Sequence, residues 1–218
     1  MADERKGLFK AGGVALVLSG TLFVVKMALD LAAGPPPSNG TAILVWMASG
    51  RLALAWVSEV LFTAGMLLVP GVVALHASLA SREGPKAAVG TSLLAVTLPV
   101  LFATAVVHGR LVYDVYGLRV RDPAVAELTV ALYAGGMHAV YLMLAVATLV
   151  LSLVMRSTYG RPLALLGIVT AVLDIAASYP WAIGAPLLVV SQIAFGGWFI
   201  AVGSKLWMLG AARAPRGS

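Results

Sequence analysis

The chain has no cysteine, which excludes disulfides, thiolate metal sites and iron-sulfur clusters and leaves the redox compartment open. Charge is scarce as well. Asp, Glu, Lys and Arg together make up only 11% of the 218 residues, a balance that places the chain among integral membrane proteins rather than soluble domains. There is no HExxH-like signature and no convincing internal repeat; the likeness of SEVLFTAG to VLDIAAS is too short to make one. An inverted-repeat transporter is therefore not indicated.

What is present is apolar. Hydrophobic residues account for 61% of the chain and the mean hydropathy is +0.97. Six runs approach the roughly 20 residues needed to cross about 30 Å of hydrocarbon. They lie near 8–33, 52–79, 87–108, 125–154, 162–179 and 186–208. The expected fold is an all-α integral membrane protein: one domain over 1–210, a bundle of six transmembrane helices with both termini cytoplasmic, and a tail over 211–218. The first run follows RKGLFK but is too long for a signal peptide, and Lys26 and Asp30 interrupt its far end, so it reads as a retained helix. The terminal PRGS resembles the remnant of a protease-cleavage site, and a native end is equally compatible. Between the first two runs, Gly34–Gly50 is too short to span and reads as a PPPSNG turn followed by an interfacial helix anchored by Trp46.

Net charge is +6 and the isoelectric point about 9.9, yet the basic residues sit in short loops, where charge sets membrane orientation. No nucleic acid partner is implied. Arg5, Lys6, Lys10, Arg82, Lys86, Arg156, Arg161, Lys205, Arg213 and Arg216 would lie inside; Arg51, Arg110, Arg119 and Arg121 would lie outside. Pro70 and Pro99 fall within spans and can kink them. Gly135, Gly136, Gly196, Gly197 and Gly203 would let their helices approach neighbours closely.

Polar residues within the spans mark the candidate site. Glu59 sits in GRLALAWVSEVL at a depth where a carboxylate costs roughly 2.5 to 3.5 kcal/mol, so it is expected to face protein, water or a partner. At a rise of about 1.5 Å per residue, Glu59, Lys26 and Gln192 lie roughly 10 Å from the outer ends of their helices, Asp174 about 7 Å and Asp30 about 4 Å. These five side chains form one layer in the outer leaflet. Glu127, Ala134, His138, Tyr141, Ala145 and Thr148 share a face of the fourth span, with Glu127 at a pocket mouth and His138 roughly 20 Å down at its floor. Thr170 and Ser178 extend the polar face around Asp174, while Phe195 and Phe199 flank Gln192 as apolar wall. Lys26 and Asp30, four apart, are suited to neutralise one another. His76 and His108 read as interfacial, and Trp181, Trp198 and Trp207 as belt or packing residues.

These segments, together with GGMHAVYLMLAV, GRPLALLGIVTAVLDIAAS and SQIAFGGWFIAVGSKLW, make the chain resemble a family of small bacterial multi-pass membrane proteins of unknown function (DUF4386-like). In that pattern an Arg opens span two, an acid follows, a His stands in span four, an Asp in span five and an acid in span six. Here those places fall on Arg51, Glu59, His138, Asp174 and Gln192, the last an amide where the pattern has an acid. The resemblance implies a six-helix bacterial membrane protein and no activity.

The leading expectation is binding or transport of a small amphipathic or cationic molecule through an outward-facing pocket formed by Glu59, Asp174, His138, Gln192, Lys26, Tyr141 and Glu127. The alternatives are an intramembrane enzyme using Glu59, His138 and Asp174 for metal or acid-base chemistry, and a structural or partner-binding role. A haem carrier is disfavoured because the three histidines fall at three depths. No cofactor is assigned, membrane lipids are the expected surroundings, and neither substrate nor oligomeric state is specified.

Overall fold

Seven helices account for nearly all of the chain in the computed structural model, which describes residues 2–212 except for the side chains of Ala2, Trp181 and Ala185. Arg213, Arg216 and the PRGS tail lie outside the described residues. The helices are α1 (Ala2–Ala33), α2 (Gly40–Ser49), α3 (Arg51–Gly109), α4 (Pro123–Thr158), α5 (Arg161–Ala177), α6 (Pro180–Ile183) and α7 (Ala185–Ala211). Among the described residues no β-strand forms. Among the described residues four helices are long and apolar enough to cross a membrane: Asp3–Ala33, Arg51–Gly109, Pro123–Thr158 and Pro186–Ala211.

The breaks fall where the backbone requires them. Gly34 takes a left-handed conformation (φ +72°) and closes α1, and Pro35 to Pro37 cannot continue it. Asn39 caps α2 through its side chain, which accepts from the Ala42 amide at 2.9 Å. Asp122 does the same for α4, accepting from Ala124 and Val125 ahead of the Pro123 turn.

At 59 residues, α3 would reach about 88 Å if straight, nearly three bilayer cores. It doubles back instead. Glu83 alone in α3 has non-helical dihedrals (φ −133°, ψ 41°), and contacts between its two arms nest around that residue. His76 Nδ1 meets Thr91 Oγ1 at 3.0 Å, the Phe62 and Phe102 rings lie 5.2 Å apart, and Ser58 Oγ donates to the Ala105 carbonyl at 3.2 Å. Arms in this register are antiparallel. Pro70 and Pro99 lie within them without disturbing the helical dihedrals.

The first and last long helices are also antiparallel, and they touch backbone to backbone. A Cβ at Gly13 would sit 2.7 Å from the Gly203 carbonyl oxygen, one at Gly20 2.5 Å from that of Gly196, and one at Gly210 2.8 Å from that of Lys6. Gly13 and Gly20 are seven apart, as are Gly196, Gly203 and Gly210, so each seam presents one glycine every two turns. Of the glycines expected to pack, Gly196 and Gly203 do so here and Gly136 lies against Thr104, whereas a Cβ at Gly135 or Gly197 would meet nothing within 4 Å. The seam brings the start of α1 and the end of α7 to one end of the bundle. The opposite end carries α2, α6 and the 110–122 loop.

The main core runs between α1, α3, α4 and α7, with Trp198, Phe199, Leu16, Leu61 and Leu151 fully buried. A second cluster sits at the loop-bearing end, where Ile43 and Met47 of α2 pack on Leu54, Leu111 and Ala126.

Candidate functional site

A cavity of about 320 Å³ opens at the loop-bearing end between α1, α4 and α7. Its walls are mainly apolar: Met27, Leu31, Leu54, Val130, Met137, Leu188 and Val189, with Pro35, Pro36 and Trp46 at the rim. Trp46 is fixed there because its indole nitrogen donates to the Ala33 carbonyl at 2.8 Å. Six polar side chains face the same space: Lys26, Asp30, His108, His138, Tyr141 and Gln192, joined by the amphipathic Tyr133. Beneath, Phe23 packs edge-on against Phe195 at 5.0 Å and stacks on Phe199 at 6.3 Å, closing the floor.

Lys26 is the hub. Only 4% exposed, its ammonium donates to Asp30 at 2.7 Å, one turn further along α1 as a four-residue spacing dictates. Tyr133 and Tyr141 lie within electrostatic reach of the same ammonium, and His108 is near it too. The His108 ring lies 4.5 Å from that of Tyr133 and its Nδ1 meets Ser58 Oγ at 3.3 Å. The expected neutralisation of Lys26 by Asp30 takes place inside the cavity wall, not by the lysine reaching for the membrane surface.

His138 lies much shallower than expected, above Asp174, which keeps its expected depth. His138 Nδ1 lies 2.6 Å from the carbonyl oxygen of Ser178, the C-cap of α5. With a carbonyl as partner, Nδ1 is the donor in this contact. The histidine therefore stands level with the end of α5, near the rim. Counting depth from the start of α4 misplaced it, because the first turns of α4 extend past α5 to pack on α2, as the burial of Ala126 against Ile43 and Met47 indicates. Asp174 lies one turn, about 6 Å, deeper than Ser178.

Asp174 is fully buried but turned into the seam between α5 and α7, away from the cavity lining. Its Oδ1 accepts from Ser191 Oγ at 2.7 Å, and its Oδ2 has no partner. Deeper in the same interface, Thr170 donates to the Ala194 carbonyl at 3.3 Å and Trp198 Nε1 is also unpartnered, as are Thr148 Oγ1 and Ser152 Oγ of α4.

Two expected members stand apart. Glu127 accepts from the Gly40 amide at 2.6 Å and thereby ties the start of α2 to α4. Glu59 is exposed on the outer face of α3, with Trp56 one turn away. Its carboxylate accepts from the Tyr113 hydroxyl at 2.8 Å. The partner expected for this acid comes from the 110–122 loop and not from the bundle interior. Partial burial, together with the Glu59 hydrogen bond and charge, pushes the Tyr113 phenol up to about 12. In the same loop Arg119 donates to Asp114 at 3.0 Å and Arg51 lies 3.8 Å away, so that the guanidinium hydrogen bond holds Asp114 below the usual carboxylate range.

With Glu59 outside and Asp174 turned away, the set considered for acid-base or metal chemistry does not assemble. Among the described residues no three His, Asp or Glu side chains cluster as a metal site. His108 and Tyr133 are the cavity residues that sequence reading missed. Tyr133, Met137 and Tyr141 recur at four-residue spacing, a signal for Tyr133 that was present in the chain. His108 becomes visible only once α3 folds back to set it beside Ser58.

The chain matches no known family, curated protein or solved structure.

Proposed function

We propose that the protein is a six-span component of the cytoplasmic membrane whose outward-facing cavity binds, and passes or presents, a small amphipathic molecule. One observation carries the reading: about 320 Å³ of mainly apolar space with a nearly dry lysine and several hydroxyl, amide and imidazole groups on one side. Apolar lining with a few convergent polar groups is the usual anatomy of a small-molecule site. A cationic ligand is the less favoured form, because among the described residues Asp30 is the only acid of the cavity lining and it is already engaged by Lys26.

Six spans follow if the two arms of α3 count separately and α5, 17 residues or about 26 Å, crosses with slight local thinning of the bilayer. Large apolar side chains cover the outside of the bundle, among them Leu52, Met66 and Val73 on α3 and Leu153 on α4. Arg5, Lys6, Lys10, Arg82, Lys86, Arg156, Arg161 and Lys205 belong to the end that holds both helix termini, which supports a cytoplasmic assignment for it. The resemblance to small bacterial multi-pass proteins agrees with this reading and is part of the proposal.

Absence of cysteine makes the topology testable by single substitutions. Tyr116→Cys, at a fully exposed position, should react with a membrane-impermeant maleimide on intact cells, and Gly84→Cys should not. The reverse pattern would turn the cavity inward. For binding, native mass spectra from nanodiscs should show an adduct on the wild type that is lost in Ala134→Trp, which fills the cavity. An adduct unchanged by that substitution would move the ligand elsewhere.

A further inference from the structure

The cavity's polar side has a sign, and its apolar side has a direction. Lys26 is 4% exposed, whereas its partner Asp30 is 31% exposed at the side chain. A buried ammonium requires an anionic or strongly accepting neighbour, since leaving it unpaired in a low-dielectric site is costly. Asp30 fills that need from the cavity wall, but it has access to water and can give the position up. An ammonium has three N–H donors, and the hydroxyls of Tyr133 and Tyr141 and the amide of Gln192 add donors around the same space. The arrangement suits an incoming oxyanion better than an incoming cation.

The direction comes from α1 and α7. They are in backbone contact at Gly20 and Gly196, and further toward the loop-bearing end the cavity occupies the space between them. Met27 and Leu31 line it from α1, Leu188 and Val189 from α7. Leu31 is 54% exposed, so the lining continues onto the apolar outside of the bundle. Val25 of α1 and Val190 and Ile193 of α7 are exposed as well. A ligand with its polar end at Lys26 therefore meets apolar side chains that run from the cavity to the outside of the bundle at Leu31.

We infer that the cavity takes a single-chain lipid with a carboxylate head, a fatty acid, entering between α1 and α7. Its carboxylate replaces Asp30 on Lys26, and its chain lies along Met27, Leu31, Leu188 and Val189. Asp30 turns to water as the head group arrives. No covalent step is involved. This inference rests on the amphiphile-binding reading and specifies its ligand.

The test compares dodecanoate, dodecanol and dodecylamine, three molecules that share a chain and differ in the head, by native mass spectrometry and titration calorimetry in nanodiscs of zwitterionic lipid, at a pH where the acid is ionised. Dodecanoate should bind the wild type roughly tenfold or more tightly than dodecanol, as a charge-assisted hydrogen bond to a buried ammonium provides. In Lys26→Gln combined with Asp30→Asn, which removes the charges together and so avoids an unpaired one, the acid-to-alcohol ratio should fall to near one. Equal binding of acid and alcohol by the wild type would overturn the carboxylate assignment and leave the amphiphile reading standing. Preference for dodecylamine would also overturn it, returning the site to cations. If none of the three binds, the inference fails; if Ala134→Trp also leaves the native adduct unchanged, the amphiphile reading fails with it.

Discussion

Gly203→Ala is expected to be costly out of proportion to its single methyl group. The added Cβ would lie 2.6 Å from the Gly13 carbonyl oxygen, 2.8 Å from the Val17 amide nitrogen and 2.9 Å from Leu16 Cβ. Two of these are backbone atoms and the third is fixed to backbone, so no rotamer change relieves the contact. Moving the oxygen from 2.6 Å to an ordinary 3.4 Å requires α1 and α7 to part by about 0.8 Å, a gap that forfeits a quarter to a half of the dispersion along the seam. Overpacking of this kind costs about 1 to 3 kcal/mol. Gly197→Ala is the matched control, because a Cβ there meets nothing within 4 Å and replacing a helical glycine by alanine is worth about 0.5 to 1 kcal/mol in favour of the variant. Reversible unfolding in mixed micelles of rising dodecyl sulfate fraction, followed by circular dichroism, should separate the two variants by about 1 to 3 kcal/mol, because the helical gain is common to both. Gly13→Ala should resemble Gly203→Ala, and the double variant should cost less than their sum, since one parting relieves both. Equal stability of Gly203→Ala and Gly197→Ala, or strict additivity of the double variant, would refute a backbone-contact seam.

Three further outcomes follow from the polar groups. Asp30→Asn should destabilise by about 2 to 3 kcal/mol in the same assay, less than for a fully buried pair because Asp30 is 31% exposed, with most of the loss recovered in Lys26→Met combined with Asp30→Asn; an unaffected single variant would mean that Lys26 does not depend on this carboxylate. Asp114 is held below its ordinary value of 3.8 chiefly by the Arg119 hydrogen bond, so its contribution is complete above that value and disappears as the pH falls through the lowered one; Asp114→Asn should flatten the acid limb of thermal stability there, and an unchanged limb would count against the pair. Tyr113, raised from 10.0 to about 12, favours the folded state below pH 10 and loses that contribution as pH rises toward 12; a tyrosinate titration at high pH should lose one step near pH 12 in Tyr113→Phe and show that step earlier in Glu59→Gln.

Much of the helical layout can be read from local chemistry. Gly34 with the following prolines, Asn39, Asp122 with Pro123, and Gly160 and Gly184 mark ends that the backbone then adopts, and the charged SREGPK segment marks where α3 turns although helical hydrogen bonding continues almost through it. How far each helix extends past its neighbours is not written locally. Depth counting treats helix ends as coplanar, but α4 begins several turns beyond the end of α5 because Ala126 and Glu127 are bound to α2. His138 moved from floor to rim for that reason alone.

Which way a polar residue faces is harder still, and Glu59 shows why. In water an amphipathic helix turns its large apolar side chains inward, but in a bilayer both faces are apolar and the larger side chains can go to the lipid. The first arm of α3 has apolar residues on both sides: Leu52, Trp56, Phe62, Met66, Val69 and Val73 are exposed, while Leu54, Leu61, Leu68 and Leu75 are buried together with Ser58, Ala64, Gly65 and Gly71. Glu59 lies three residues from Trp56 and three from Phe62, on the exposed stripe. The expense of a carboxylate in hydrocarbon pointed correctly to a partner for it, yet cost alone specifies no direction, and the 110–122 loop supplies Tyr113 from outside. Among these residues the small ones occur only on the inward side of the arm, and they are the better guide to the interior. By that guide Ser58, not Glu59, is the inward residue of the first arm of α3, and it is Ser58 that meets His108, bringing a cavity-lining histidine to the site.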